Sequence, residues 1–241
     1  MNLAVQDTEV ARAIEVRDLA KSFTLHGQGG VHIPVFDRVS FDVAAGECLV
    51  LVGPSGSGKS TMLRSLYANY KPSGGTIRIF HQKRWMNLTS APAREVLEVR
   101  RETIGYVSQF LRVIPRVSTL DIVAEPLKQQ GEEPDEARMK AGALLSRLNV
   151  PRRLWDVPPA TFSGGEQQRV NVARSFVRAY PVRLLDEPTA SLDEANKAVV
   201  VELIEEAKAA GSAVVGIFHD ETLRASVGTR ALDLTAFKGA V

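Results

Sequence analysis

Two hydrophobic patterns divide the predicted strands of this chain into two groups. In the first group, apolar and polar residues alternate, as they do in residues 14–16, 35–43 and 77–79. This alternation is typical of strands that have one buried and one exposed face, and such strands are commonly antiparallel. We therefore predict an antiparallel β subdomain.

The second group consists of short apolar runs with little alternation. These runs cover residues 48–52, 103–107, 182–185 and 213–218. They are typical of parallel strands that are buried on both faces. Polar residues follow each run closely: a glycine-rich loop, Gln109, Asp186 with Glu187, and His219. Because ligands bind beyond the carboxyl ends of the strands in open α/β sheets, we expect these residues to form one site.

A helical pattern separates the second of these runs from the third. Ser118 and Asp121 have the spacing of a helix start, and an apolar stripe that includes Leu145 and Leu148 ends before Pro151. We predict an α/β fold with a mostly parallel core sheet, an antiparallel β subdomain and a helical subdomain. The chain is expected to form one domain, with its core in residues 1–109 and 161–241 and the helical subdomain in about 110–160.

Composition narrows the function classes. The chain has 241 residues, 44% of them hydrophobic, and a net charge of +2, which is too small to indicate a nucleic-acid partner. Cys48 is the only cysteine and lies in an apolar run, so it is expected to be a core residue. No apolar stretch reaches the ~18 residues of a membrane span, and residues 1–12 do not resemble a signal peptide. We expect a cytoplasmic protein without a direct membrane span.

The glycine-rich loop carries the strongest motif. Residues 53–61 match G-x-x-x-x-G-K-[ST], between a predicted strand and a predicted helix. Glycines let successive N–H groups point into one concavity, Lys59 brings a cation to the β- and γ-phosphates, and the Ser60 hydroxyl can ligate Mg²⁺. The predicted nucleotide-binding residues of this loop are Gly53, Pro54, Ser55, Gly56, Ser57, Gly58, Lys59, Ser60 and Thr61.

Two further motifs complete the predicted chemistry. Ser163, Gly164, Gly165 and Glu166 have the spacing of a capping box, and they predict a second anion site at a helix N-terminus. In residues 184–188 an apolar strand ends in Asp186, a candidate Mg²⁺ ligand, and Glu187, a candidate general base. A plain helix cap and a capping cluster of carboxylates are the structural alternatives.

Together these motifs resemble the ABC-type ATPases, in the order found in that family and over nearly the whole chain. The resemblance implies that the chain binds ATP and Mg²⁺ and dimerises with a second ABC-type subunit, identical or related. Each nucleotide would then lie between one phosphate loop and the facing chain's Ser163–Glu166 segment, with residues 191–193 at the dimer seam.

The resemblance also implies roles for single residues. Gln109 would sense the γ-phosphate, help to bind the metal with Ser60 and Asp186, and couple to partner proteins. His219 would contact the γ-phosphate and hold the attacking water, beside Lys59 and Glu187 as catalytic residues. Phe23 lies where an aromatic ring could stack on the base, and a core role is an equal alternative.

A narrower resemblance concerns less generic stretches. Residues 63–70, 109–116, 147–151 and 216–221 look like the PhnL family of the bacterial carbon–phosphorus lyase pathway. This implies lyase subunits as partners and a role in forming a ribose 1-phosphonate 5-triphosphate during phosphonate breakdown. The alternatives are an ATP-binding subunit of a lipoprotein-release or macrolide-export transporter, and a nucleotide-gated assembly protein.

Two local predictions accompany this hypothesis. The apolar stretch between Phe110 and Arg116, with a cationic rim from Arg112 and Arg116, has a composition suited to partner docking; a buried connector is the alternative. Arg183 departs from the family pattern because it lies where the strand is normally apolar, and it is expected at an exposed strand start.

Overall fold

Two β-sheets form the framework of the protein. In the computed structural model, which describes residues 11–25, 27, 30–111 and 115–238, the first sheet is antiparallel with strand order β2-β1-β4-β5. Its strands are β1 (Arg12–Leu25), β2 (Val31–Ala44), β4 (Gly74–His81) and β5 (Arg84–Asn87). The predicted antiparallel β subdomain is confirmed.

The second sheet is parallel and has the order β6-β7-β8-β3-β9. Its strands are β3 (Cys48–Val52), β6 (Ile104–Val107), β7 (Val182–Asp186), β8 (Ala213–Ile217) and β9 (Arg230–Asp233). The first four correspond to the four apolar runs. The fifth strand was not predicted, because it is a short edge strand whose residues are mostly exposed and therefore lack an apolar run.

Seven α-helices connect and cover the sheets within the described residues. They are α1 (Lys59–Leu66), α2 (Ala93–Glu102), α3 (Thr119–Lys128), α4 (Pro134–Arg147), α5 (Gly164–Phe176), α6 (Glu194–Ala209) and α7 (Glu221–Val227). The apolar residues Leu63, Leu66, Tyr67 and Tyr70 have helical spacing, which predicts a helix as far as Tyr70, and this prediction is wrong. The helix ends at Leu66 because Ala68 adopts a left-handed backbone with φ of 57°.

The predicted helical subdomain contains α3 and α4, which pack against each other and against α5. Ser118 caps α3 as predicted, since its side chain accepts a hydrogen bond from the Asp121 N–H at 3.1 Å. Leu145 and Leu148 are fully buried. The subdomain boundary at about residue 160 stays a prediction, because α5, which follows it, packs on both helices.

Two hydrophobic clusters hold these layers together. One lies between the antiparallel and parallel sheets and includes Phe36, Leu63 and Val215. The other joins the parallel sheet to α3–α6 and includes Leu145, Val172 and Cys48. Burial raises the pKa of the Cys48 thiol to about 12. None of the helices described here is long and apolar enough to cross a membrane.

Arg183 is buried, so the expectation of an exposed strand start is wrong. It is the second residue of β7 and is only 4% exposed. Its guanidinium donates hydrogen bonds to the Ser175 and Arg178 carbonyls at 2.7 and 2.8 Å and lies 4.3 Å from the Phe176 ring centroid. Aromatic stacking and carbonyl acceptors make this position tolerable for a cation, although burial lowers the pKa of Arg183 to about 10.

Candidate functional site

The phosphate loop connects β3 to the N-terminus of α1, as its motif predicted. Gly58 has φ of 94°, and a Cβ placed there would lie 2.7 Å from Val35 Cγ1, so only glycine fits. Lys59 Nζ donates to the Gly53 and Pro54 carbonyls at 2.7 and 2.8 Å. The lysine side chain therefore folds back onto the start of its own loop.

The loop has the properties of an anion site. Ser57 is 3% exposed, and its Oγ has no hydrogen-bond partner among the described residues. A buried hydroxyl without a partner is costly, and a phosphate oxygen would supply the missing acceptor. The hydrogen bonds of Lys59 go to carbonyls and not to a carboxylate, so its charge stays available for a phosphate. The residues present fit a bound nucleotide.

Asp186 lies at the carboxyl end of β7, next to the start of α1. Ser60 Oγ donates to Asp186 Oδ1 at 3.1 Å, and the Tyr106 hydroxyl lies 3.5 Å from Oδ2. Asp186 is completely buried, and this burial raises the pKa of its carboxyl group. A buried carboxylate beside a hydroxyl is a suitable donor pair for Mg²⁺, whose charge would offset the cost of burying the carboxylate. The predicted metal residues Ser60 and Asp186 are thus brought together.

Glu187 and His219 form a pair beyond the ends of β7 and β8. His219 Nε2 lies 2.7 Å from Glu187 Oε1, although the two residues are 32 positions apart in the sequence. The His219 side chain is 73% exposed and that of Glu187 is 17% exposed. Glu187 has a left-handed backbone with φ of 55°, which is uncommon for a residue with a side chain. This conformation turns the chain sharply after the strand and leaves the carboxylate at the solvent-accessible edge of the sheet.

The predicted capping box forms at the start of α5. Glu166 N–H donates to Ser163 Oγ at 3.3 Å, and Ser163 N–H donates back to Glu166 Oε2 at 2.9 Å. The Ser163 hydroxyl also donates to that carboxylate, which lowers the pKa of Glu166. A Cβ on Gly165 would lie 2.7 Å from the Ser191 carbonyl oxygen, so the two backbones touch. The start of α5 is therefore seated directly on the segment predicted to lie at the dimer seam.

Two predicted residues lie apart from these contacts. Gln109 follows β6 and lines a groove, and no hydrogen bond joins its side chain to Ser60 or Asp186. The Phe23 ring packs edge-on against Tyr70, which follows α1, with 5.3 Å between the ring centroids. Their metal-binding and base-stacking roles stay predictions.

The proposed docking stretch is only partly described. Phe110 is 77% exposed, whereas Leu111 is 8% exposed, in agreement with the connector alternative for that residue. Arg116 is exposed. Arg112, Val113 and Ile114 lie outside the described residues, as do residues 1–10 of the segment expected to lack a signal peptide.

Sequence reasoning missed two buried amides on α5. Gln168 Nε2 donates to the carbonyls of Glu187 and Pro188 at 3.2 and 2.9 Å, and Asn171 Nδ2 donates to the Ser108 carbonyl at 2.6 Å. Both residues are at most 5% exposed. Both amides lie among apolar residues of α5 such as Val172 and Ala173. This pattern could have indicated buried amides, and a buried amide requires a hydrogen-bond partner.

A phosphate loop followed by a buried strand-end aspartate, on a parallel sheet, places the chain among the P-loop ATPases. Comparison with known proteins narrows this class. The family model described as ABC transporter matches residues 36–190, and the chain belongs to that family. It is an ABC-type ATPase that binds ATP with Mg²⁺.

Similar proteins of known name come from several systems. The chain is 38% identical over 208 residues to the lipoprotein-releasing system ATP-binding protein LolD of Idiomarina loihiensis, with 86% of this chain and 88% of that protein covered. It is 34% identical over 212 residues to the macrolide export ATP-binding/permease protein MacB of Hyphomonas neptunium. That match includes 88% of this chain but only 32% of MacB, so the chain spans about a third of that relative.

A solved structure supports the same assignment. The dimeric, post-hydrolysis structure of the ATP-binding cassette MJ0796 bound to ADP and Pi matches with a TM-score of 0.83 and 28% identity. The match covers 93% of this chain and 94% of the other. These relatives are not named for phosphonate breakdown, so the narrower resemblance to the PhnL family stays a hypothesis.

Proposed function

We propose that this ATPase works as a dimer in which each Mg-ATP lies between the phosphate loop of one chain and the α5 N-terminus of the other. The observation that carries this proposal is that two helices of one chain begin at segments suited to an anion, Gly58–Ser60 and Ser163–Gly165. The start of α1 lies next to Asp186, the proposed metal ligand, because the Ser60 hydroxyl donates a hydrogen bond to it. The start of α5 instead packs against the Ser191 backbone. Two such starts with separate surroundings suit two different nucleotides. The dimeric MJ0796 cassette supports this arrangement.

The residues of the site have different roles in the proposed hydrolysis reaction. ATP with Mg²⁺ supplies the electrophilic γ-phosphate when it is bound. Lys59 and the loop N–H groups neutralise phosphate charge, which favours binding and in-line displacement. Glu187 is the general base: its carboxylate accepts the proton of the attacking water. His219, 2.7 Å away, holds that carboxylate in position.

Mixing two inactive variants tests the dimer. Lys59→Ala damages the phosphate loop, and Ser163→Arg damages the surface that serves the facing chain. Each homodimer should hydrolyse ATP at a small fraction of the parent rate. A mixed dimer, however, has one intact and one doubly damaged composite site, so mixing should restore part of the activity. If mixing restores none although mixed dimers are shown to form, the arrangement is wrong or the two sites must act together.

A large groove is the proposed docking site for a partner. It has a volume of about 1730 Å³ and opens between α2 on one side and α3 and α5 on the other. Leu97 and Phe110 line it and are 60% and 77% exposed. The Arg100 guanidinium stacks on Tyr67, 4.7 Å from the ring centroid, within the same groove. Exposed apolar side chains with aromatic and arginine neighbours are the usual anchors of protein interfaces.

For the partner, we propose soluble subunits of a carbon–phosphorus lyase, with the chain supporting phosphonate breakdown. Two of the four stretches that resemble the PhnL family, residues 63–70 and 109–116, supply residues to this groove, including Arg64, Tyr67 and Phe110. Of the motif residues shared with ABC-type ATPases, only Gln109 is among the described residues that line this groove. Part of the resemblance to the PhnL family therefore lies on the surface that we propose for partner docking.

A membrane permease is the second candidate partner, and the comparisons favour it. LolD and MacB, at 38% and 34% identity, are named for lipoprotein release and macrolide export, and a pyoverdine export protein matches at 34%. Three systems with different cargoes match at nearly the same identity. The level of similarity therefore supports a transporter subunit as a class without selecting one transporter.

Affinity purification under ATP separates these candidates. The tagged chain is expressed at native level in its own cells, with Glu187→Gln to retain ATP, and the proteins retained with it are identified by mass spectrometry. Lyase subunits support the first candidate, whereas proteins with membrane spans support the second and overturn the first. If neither lyase subunits nor membrane-spanning proteins are retained, the result contradicts both candidates.

Substitutions in the groove show whether the captured protein binds there. Phe110→Asp and Leu97→Asp should weaken capture by about 2 kcal/mol or more, which is roughly thirtyfold, because each removes an apolar anchor. Met139→Asp is the matched control: Met139 is 68% exposed on α4 and does not line the groove. Equal capture by all three variants would refute the docking site.

A further inference from the structure

Gln168 lies on α5 and bonds to the turn that carries the catalytic glutamate. It is 4% exposed. Its Nε2 donates to two consecutive carbonyls, those of Glu187 at 3.2 Å and Pro188 at 2.9 Å. Both hydrogens of the amide are thereby used. Carbonyl oxygens only accept, so the amide nitrogen and not its oxygen must face them.

The turn held in this way is a strained one. Glu187 has φ of 55°, and its N–H donates to the Ile217 carbonyl at 3.1 Å. A left-handed residue with a side chain persists only where its surroundings fix it. The two bonds from Gln168 and the bond to Ile217 fix this backbone from two sides, which orients the carboxylate toward His219.

The same helix begins with the Ser163–Gly165 segment. Gln168 is five residues beyond Ser163, which is about 7.5 Å along the helix axis. An α-helix of 13 residues moves largely as one body, so a shift of its N-terminus is transmitted to Gln168. Asn171, one turn further on, bonds the Ser108 carbonyl beside Gln109 at 2.6 Å. Helix α5 therefore contacts both polar turns of its own chain's site through buried amides.

We propose that Gln168 is a positioning residue for Glu187, through which the N-terminus of α5 acts on hydrolysis. The proposal rests on the proposed function in two respects, namely that Glu187 is the general base and that the α5 N-terminus binds the nucleotide of the facing chain. Occupancy of one composite site would then set the position of the general base in the other. The residue touches neither nucleotide nor water; it acts through the backbone of Glu187.

Gln168→Met is the informative variant, because methionine has a similar length and no donors. We expect kcat to fall by about 10- to 100-fold, the scale of a small misplacement of a catalytic group, while the dissociation constant for Mg-ATP changes by less than about twofold. Steady-state hydrolysis gives kcat, and calorimetric titration gives the affinity. An unchanged kcat at full folding would overturn the proposal.

A double-mutant cycle separates positioning from general structural damage. In the Glu187→Gln background the base is already absent, so adding Gln168→Met should leave the residual hydrolysis rate unchanged. An equal loss in both backgrounds would mean that Gln168 does not act through Glu187. The cycle also isolates the proposed function: if Glu187→Gln hydrolyses ATP at the parent rate, the base assignment fails, whatever Gln168 does.

Val172→Ala is the control for stability. Val172 is fully buried on the same helix and has no side-chain donor, so its truncation destabilises α5 without removing a hydrogen bond to the Glu187 turn. At temperatures well below unfolding it should keep a kcat within about twofold of the parent, even if it unfolds at the same temperature as Gln168→Met. A matching loss of kcat in both variants would overturn the proposal. If Gln168→Met does not fold, Gln168→Leu, which is uncharged and also lacks the amide donors, replaces it with the same expectations.

Discussion

The contact between Gly165 and Ser191 makes a quantitative prediction for two neighbouring glycines. A Cβ on Gly165 would lie 2.7 Å from the Ser191 carbonyl oxygen, whereas a Cβ on Gly164 would meet no atom of that residue closer than 3.9 Å. Both glycines are in the first turn of α5. Alanine should therefore be accepted at position 164 and opposed at position 165.

The two effects can be weighed against each other. Replacing glycine by alanine in a helix contributes up to about 1 kcal/mol of stability. At Gly165 the Ser191 oxygen must also move by roughly 0.7 Å to reach ordinary contact, and overpacking of this kind costs about 1–3 kcal/mol. Gly165→Ala should be less stable than Gly164→Ala by about 1–3 kcal/mol. For a chain of this length, that difference is about 2–12 °C in Tm.

Thermal unfolding of the nucleotide-free variants, followed by circular dichroism, measures this difference. The two variants have the same composition and adjacent positions, so the effect of alanine on the unfolded chain cancels. Equal Tm values would refute the reasoning, because they would mean that Ser191 moves aside at no cost. A Gly164→Ala variant less stable than Gly165→Ala would contradict the described backbone contact itself.

Three further predictions concern the titratable groups. Glu187→Gln should bind Mg-ATP with parent affinity and hydrolyse it at least about 100-fold more slowly, because the shape is kept and the base is lost; single-turnover hydrolysis checks this, and parent-rate hydrolysis would remove Glu187 from its role. Asp186→Asn should raise the Tm of the nucleotide-free protein at pH 8. Burial raises the folded-state pKa of Asp186, so the parent protein loses stability as the pH rises through that pKa and the carboxyl group ionises. The difference in Tm between the variant and the parent should therefore shrink at low pH. Cys48 should not react with a thiol reagent at pH 8 until the chain unfolds, since its pKa is raised to about 12 and its side chain is buried; rapid labelling of the native protein would contradict its core position.

Sequence patterns predicted the two sheets because the burial of a strand is visible in its own residues. Alternation indicates one buried face, and a continuous apolar run indicates two. The buried strands β7 and β8 appear as apolar runs, and the polar residues after them meet at one edge as expected. Such patterns do not predict the burial of a polar residue whose partners lie on a neighbouring element. Arg183 is polar in sequence, but Ser175, Arg178 and Phe176 provide its hydrogen bonds and stacking, so it is buried.

The sequence predicts which residues belong to the candidate site better than it predicts the contacts between them. Ser163 and Glu166 are three residues apart, so local spacing was sufficient to predict their capping box. Ser60 and Asp186 are 126 residues apart, and only the strand order brings them within 3.1 Å. Gln168 illustrates the remaining limit, because a helix sequence does not indicate which distant carbonyls an amide will bind.

Helix α5 explains why family and partner are encoded in different parts of this chain. Its N-terminal end presents Ser163 and the two glycines, its middle holds the Glu187 turn through Gln168, and Arg174 and Ser175 near its C-terminal end line the groove. The 13 residues span about 20 Å, so one helix connects the end proposed to bind nucleotide to the proposed docking surface. The nucleotide end must suit ATP in every member of the family, whereas the groove end must suit only its own partner. Identity of 34–38% to proteins of several export systems supports the family without selecting one cargo, and the experiments on the groove are needed to identify the partner.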